Sequence, residues 1–304
     1  MIGKNCDALG KRGLAAILGS VLVATVALTG EAFAAPPGPL KFGVYDPEGS
    51  FTTDPNVDIE HLFLPWEDVD LSSIPLADAY AQERNRTLLV TIEPWTWSRD
   101  ERNTPEYLRW GIDSGIYDEN MHSICSVLST LKSPVTVRWG HEMDDLSGQF
   151  IWAGWNPDTY LRAYRRMINV CREAAPNLIY MWSPLGEETL TDYCPDEAYF
   201  DVVGLSVFGL QKWDQDKYGR NRSFKEILQP RYDLAVQCGK PVFVAELGYV
   251  GGQDYVDTWE NEVRQSYAEF PNLVGVVYFN QKEVYPWPEN YGYPDWRVDQ
   301  RVIK

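Results

Sequence analysis

Two glutamates in this sequence could do chemistry together. The stretch from Val135 to Asp144 reads V-T-V-R-W-G-H-E-M-D, an apolar β-branched run that delivers Glu142 at its end. The stretch from Pro241 to Tyr249, P-V-F-V-A-E-L-G-Y, has the same form and delivers Glu246. Successive strand side chains point to opposite sides, so Thr136, Arg138, Gly140 and Glu142 are expected to share one face. An arginine and a glutamate on a buried face need partners, because an unpaired charge there is costly. Two carboxyl groups at the ends of two buried strands are what glycoside hydrolysis needs, one as proton donor and one as nucleophile or base. A structural salt bridge at a strand-end rim is the competing explanation for such a pair.

Metal chemistry is a poor fit to the same residues. Met-Asp-Asp follows Glu142, so the H-E-x-x-H spacing is absent, and His61 and His122 are the only other histidines besides His141. No C-x-x-C spacing occurs either. No metal and no other cofactor is expected.

The elements that must carry these residues repeat along the chain. Strand-like apolar runs are expected at 41–46, 59–66, 88–94, 135–142, 178–183, 202–208, 242–247 and 273–280. An amphipathic helix is expected from Asp158 to Ala174, where Leu161, Tyr164, Ile168 and Cys171 recur at three- and four-residue steps between Pro157 and Pro176. Further helices are expected at 105–111, 121–131, 228–238 and 256–270. Eight buried strands alternating with helices predict a single (β/α)8 TIM barrel, with a doubly wound sheet as the alternative. Asp46, Trp66, Glu93, Glu142, Trp182, Phe208, Glu246 and Asn280 sit at the C-terminal ends of these runs, the face on which barrels build their sites.

Composition bounds the class of partner. The first 34 residues read as a secretory signal, with Lys4, Lys11 and Arg12 before an apolar run and Ala32-Phe33-Ala34 as the cleavage pattern. The run is short for a membrane anchor, so residues 35–304 are expected as one catalytic domain, secreted or periplasmic and monomeric, with no stable membrane insertion. The formal net charge of −17 opposes binding to nucleic acid or anionic lipid. Twelve tryptophans and eighteen tyrosines offer flat faces on which sugar rings stack, although many will be core. Cys125, Cys171, Cys194 and Cys238 remain after Cys6 leaves with the signal, and their spacing leaves all three pairings, or free thiols, open. The sequons at Asn85 and Asn221 matter only in a glycosylating host.

With these residues in order, the chain resembles glycoside hydrolase family 26, which contains chiefly β-mannanases, with some β-1,3-1,4-glucanases and β-1,3-xylanases. The resemblance rests on R-W-G-H-E-M-D, G-V-Y at Gly43 to Tyr45, E-P-W at Glu93 to Trp95 and Trp152 with Trp155. It continues through W-S-P at Trp182 to Pro184, D-V-V-G at Asp201 to Gly204 and K-P-V-F-V-A-E-L-G at Lys240 to Gly248. It implies that Glu142 is the general acid and base and Glu246 the nucleophile, with carboxyl groups about 5–5.5 Å apart in a retaining mechanism. It also implies that His141 touches the central sugar, with a structural histidine as the alternative. Arg138 is placed to keep the nucleophile ionised.

Trp152, Trp155, Trp97 and Trp66 are candidate stacking platforms, with core packing as the alternative, and Glu93 could bond sugar hydroxyls or pair with an arginine. Members commonly carry a tyrosine at the end of strand six that bonds the nucleophile. Phe208 stands there and cannot donate, so Tyr249 is a candidate replacement. Strand eight likewise offers Phe279 where a tryptophan is often seen. The reading is a retaining hydrolase of β-mannan or, alternatively, of β-1,3-1,4-glucan or the cell's own exopolysaccharide. A non-catalytic carbohydrate-binding barrel is the rival from another class.

Overall fold

A computed structural model describes residues 39–96 and 103–303. Eight parallel strands close into a barrel in sequence order: β1 (Lys41–Tyr45), β2 (Ile59–Pro65), β3 (Thr87–Glu93), β4 (Val135–Trp139), β5 (Ile179–Trp182), β6 (Val202–Leu210), β7 (Val242–Val250) and β8 (Leu273–Phe279). Every expected strand is present within a few residues. The doubly wound alternative fails because β8 pairs with β1 along the whole of β1, from Lys41 against Gly275 to Tyr45 against Phe279. The expected signal and Trp97 lie outside the described residues.

Among the described residues seven α-helices pack around the strands: α1 (Ile74–Glu83), α2 (Pro105–Ser114), α3 (Asp118–Leu128), α4 (Pro157–Ala174), α5 (Gln211–Tyr218), α6 (Phe224–Ala235) and α7 (Gln253–Gln265). Helix α4 forms where its periodicity predicts. Tyr160, Ala163, Tyr164, Met167, Ile168 and Cys171 make the buried stripe, Pro157 opens the helix, and the Asn156 side chain accepts the N–H of Asp158. Helix α2 starts with the same devices, a Thr104 cap and Pro105, and stops at Gly115, whose φ of 83° suits glycine. Helices α1 and α5 were not expected. Helix α5, Q-K-W-D-Q-D-K-Y, buries only Asp214, so it has no apolar stripe to betray it.

The barrel interior is layered. Leu89, Met181, Phe243, Ala245 and Val277 make an apolar floor. Two residues further along β3, Thr91 bonds Arg138 and His61, and two further Glu93 lines an open cleft. At the β8–β1 seam the Asn280 amide donates to Asp46 at 2.7 Å and accepts from the Val298 N–H at 2.8 Å, so these two strand-end residues close the barrel. Two disulfides lie in the outer layer. Cys125–Cys171 ties α3 to α4, and Cys194–Cys238 ties the loop after β5 to the turn after α6. No helix among the described residues is long and apolar enough to cross a membrane.

Candidate active site

The turn that carries Glu142 departs from the expected alternation. Strand β4 ends at Trp139, and Gly140 and Glu142 adopt φ of 55° and 53°, so Glu142 is presented by a left-handed turn and not by the strand face. A non-glycine residue there costs about 1–2 kcal/mol and must be held by its surroundings. The Glu142 N–H donates to the Ser183 carbonyl at 2.7 Å. Tyr160 Oη and Trp152 Nε1 donate to the carbonyls of Gly140 and His141 at 3.1 and 2.6 Å. The Asp144 carboxylate accepts the backbone N–H groups of Leu185, Gly186 and Glu187 at 2.6, 3.0 and 2.8 Å, which locks the turn to the loop after β5.

Glu246 arrives on β7 through an irregular pairing. Leu205 and Ser206 of β6 pair with Val244 and Glu246, so Ala245 is an extra residue and the strand is re-aimed by a bulge. Arg138 Nη1 donates to Glu246 Oε1 at 2.6 Å, while its Nε and Nη1 reach Ser183 Oγ and Thr91 Oγ1 at 2.8 and 3.3 Å. Arg138 is 0% exposed and Glu246 7%, so this charge pair is almost dry. Such a pair is strongly destabilising when one partner alone is removed.

The surrounding carboxyls behave differently. Burial, with the nearby charge of Glu246, pushes Glu142 up to about 8, against the hydrogen bond from Ser206 and the charge of Arg138. The same two causes push Glu93 up to about 7. Glu283, in the segment after β8, also rises to about 7 through burial and Glu246, against the indole N–H of Trp296 at 2.7 Å. Burial and Arg138 hold His141 and His61 well below the usual imidazole range, so both are neutral near pH 7. One carboxylate paired with an arginine and one carboxyl that keeps its proton make up the set that acid-assisted displacement at an acetal uses.

The model for glycosyl hydrolase family 26 matches residues 114–279, more than half of the chain. The chain belongs to glycosyl hydrolase family 26. A β-1,3-xylanase from an Alcaligenes species is 27% identical over 113 residues, which are 34% of this chain and 23% of that protein. The chain therefore spans about a quarter of the length of the curated relatives it matches. A GH26 β-mannanase from Bacteroides ovatus superposes with a TM-score of 0.62 at 15% identity, covering 79% of this chain and 80% of that one. A GH26 endo-β-1,4-mannanase domain from a Bacillus species gives 0.60 at 15%, covering 84% and 80%. These superpositions establish the shared barrel.

In this family 26 barrel, Glu142, Glu246, Glu93, His141 and Phe208 line one cleft of about 460 Å³. His141 lies under it, with its Nε2 3.9 Å from Glu246 Oε1 and its ring against Phe150. Arg138 sits beneath, out of reach of a ligand. Phe208 makes T-shaped contacts with Phe279 and Trp287, and pairs in register with Gly248.

Four expected contacts are not brought to the cleft. Trp66 is 1% exposed and stacks on Tyr117 at 4.5 Å between the barrel and α3. Trp152 is fully buried and stacks on Phe150 at 4.7 Å, so it supports the cleft wall from behind. Trp155 is buried beside Tyr193, its indole donating to the Ile151 carbonyl at 2.8 Å. Tyr249, three residues along β7 from Glu246, leaves the strand on the opposite side and stacks on Trp259 of α7 at 5.5 Å, which excludes it as the missing donor.

Cleft residues that the sequence did not single out include Tyr45, Trp95 and a run after β8 containing Glu283, Tyr285 and Trp287, and behind Glu142 the buried Ser206 was missed as well. Tyr45 lay in the G-V-Y segment and Trp95 in E-P-W, but the post-β8 run has no periodicity or motif to mark it.

Proposed function

We propose that the protein is a glycoside hydrolase that cleaves a β-linked polysaccharide with retention, using Glu246 as nucleophile and Glu142 as acid and base. The observation that carries this is the asymmetry of the pair. Glu246 accepts a hydrogen bond from buried Arg138, whereas Glu142 is held in its protonated form by burial and by the charge of Glu246. Glu142 protonates the leaving oxygen while Glu246 attacks the anomeric carbon, and in the second step Glu142 removes a proton from water. Activity then falls as the pH rises through about 8, where Glu142 loses its proton.

The substrate proposed first is β-mannan, on the family's main activity. β-1,3-xylan is the second reading, favoured by the similarity of a third of the chain to β-1,3-xylanases. Secretion is proposed from the signal-like leader, with the two disulfides in support. The test is reducing-end release from soluble β-mannan, mixed-linkage β-glucan, β-1,4-xylan and β-1,3-xylan, with the anomer of the first product read by NMR. Release of the β-anomer from one of them is expected. Binding to a glycan without cleavage of any would favour a carbohydrate-binding barrel, and an α-anomer would overturn retention.

A further inference from the structure

One side chain outside both motifs connects the acid turn to the nucleophile strand. Ser206 is fully buried midway along β6 and donates its hydroxyl proton to Oε1 of Glu142. In sheet register it is the neighbour of Glu246, immediately after the bulge. Its own carbonyl accepts from Arg231 Nη1 on α6. Arg231 in turn packs its stem against Gly186, in the loop that Asp144 fixes. The serine is therefore held from the sheet side and from the helix side, with its hydroxyl aimed at the acid.

We infer that Ser206 is a positioning residue that decides which oxygen of Glu142 carries the acidic proton. This rests on the reading of Glu142 as acid and base. A hydroxyl that donates to Oε1 uses that oxygen as an acceptor, so the proton of the neutral carboxyl resides on Oε2. In the first step the Oε2–H bond breaks and its proton moves to the glycosidic oxygen. The bond from that oxygen to C1 breaks, with its electron pair going to the oxygen, as Glu246 bonds to C1. In the second step Oε2 takes a proton from water while the water oxygen bonds to C1 and the Glu246–C1 bond opens, its electron pair returning to Glu246. Ser206 keeps its own proton throughout.

The serine hydrogen bond is also stronger to the carboxylate than to the acid, so it opposes the upward pull on Glu142. The other charges facing Glu142 are Glu246 on β7, Arg138 on β4, Asp145 in its own loop and Arg231 on α6. Ser206 is thus the neutral adjuster in a charged setting. It also gives a physical account of Phe208. The chain lacks a hydroxyl at the end of strand six and carries one two residues earlier on the same face, directed at the acid instead of the nucleophile.

The experiment compares Ser206→Ala and Ser206→Thr with the parent, and follows the Glu142 carboxyl by carbon-13 NMR titration alongside kinetics. In the Ala variant the basic limb of kcat/KM and the Glu142 titration are both expected to move up by about one pH unit. Hydrolysis of the polysaccharide slows about tenfold. Glycosylation by an activated aryl glycoside, which needs little protonation, changes less than about twofold, and Thr restores all three readouts. An unmoved titration in the Ala variant overturns the inference. So does equal loss in Ala and Thr with the basic limb in place, which would mark a packing role. If the Ala variant does not fold, Ser206→Cys, a weak donor of similar size, is read by the same titration. The titration needs no turnover, so a parent that cleaves nothing overturns the hydrolase reading while Ser206 is still judged on Glu142.

Discussion

The wall of the cleft built by β4, β6 and β7 and the wall built by the segment after β8 border the same space on different physical terms. On the first, these carboxyl groups are each engaged: Glu246 by Arg138, Glu142 by Ser206, and Asp144 by three backbone N–H groups. On the second, Val284, Tyr285 and Glu289 are exposed, and Glu283 is fixed by a single indole N–H. The first wall holds atoms at fixed separations, as bond-making requires. The second is the more exposed of the two, as variable loops carried on a fixed scaffold are.

The largest effect expected from that contrast is at Glu246. Replacing it with alanine is expected to lower kcat on any cleaved glycan by roughly 10⁵-fold or more, with no covalent intermediate trapped by a fluorinated glycoside. Glu142→Ala follows, with a loss of about 10²–10⁴-fold on polysaccharide. With an activated aryl glycoside this variant accumulates the glycosyl-enzyme, and azide restores turnover with retained configuration. Identical behaviour of the two variants would mean that the pair does not divide its labour as described.

Arg138→Ala probes the rigid wall itself. It leaves Glu246 as a buried, unpaired charge, so denaturant unfolding is expected to show a loss of about 3–5 kcal/mol. Turnover on any cleaved glycan falls with it, because Glu246 has lost the side chain that orients it. Unchanged turnover with unchanged stability would remove the basis of the contrast.

On the second wall the effects are smaller and of a different kind. Trp287→Ala is expected to raise KM three- to tenfold with little change in kcat, since a stacking face there serves binding and not bond-making. A fall in kcat alone would place Trp287 with the first wall. Glu283→Gln tests electrostatics without truncation. Burial raises this carboxyl from 4.5 to about 7, so the folded state holds a proton that the unfolded chain releases, and stability falls as pH rises across that interval. The amide removes that loss. The variant is expected to gain roughly 1–3 kcal/mol relative to the parent at pH 8 and little at pH 4, measured by denaturant melts at both.

Strand positions could be read from the sequence because buried parallel strands are near-continuous apolar runs, and all eight were so marked. Glu142, Glu246, Arg138 and His141 were visible because they end or interrupt such runs. The turn conformation of Glu142 was not, since a left-handed glutamate is set by its own bond to the Ser183 carbonyl and by the bonds from Tyr160 and Trp152 to its neighbours, all residues later in the chain. Trp66, Trp152 and Trp155 misled for a physical reason. A tryptophan at a strand end or in the loop that follows it can face the cleft or the packing behind it, and all three are buried in packing. Glu283 escaped because its hydrogen-bond partner, Trp296, is thirteen residues away and the contact leaves no local pattern.

The two disulfides bear on how the chain is made. Each closes a segment of similar length, 46 and 44 residues of separation, and the two segments neither overlap nor nest. Each limits the unfolded ensemble by about 4 kcal/mol on the chain-entropy view. Of the three possible pairings of these four cysteines, this one joins the first to the second and the third to the fourth in order of synthesis. An oxidant acting on thiols in order of appearance would produce the native set directly, so recovery of active protein in an oxidising compartment should not depend on a catalyst of disulfide exchange. Refolding from the fully reduced chain, where all four thiols compete at once, would depend on one.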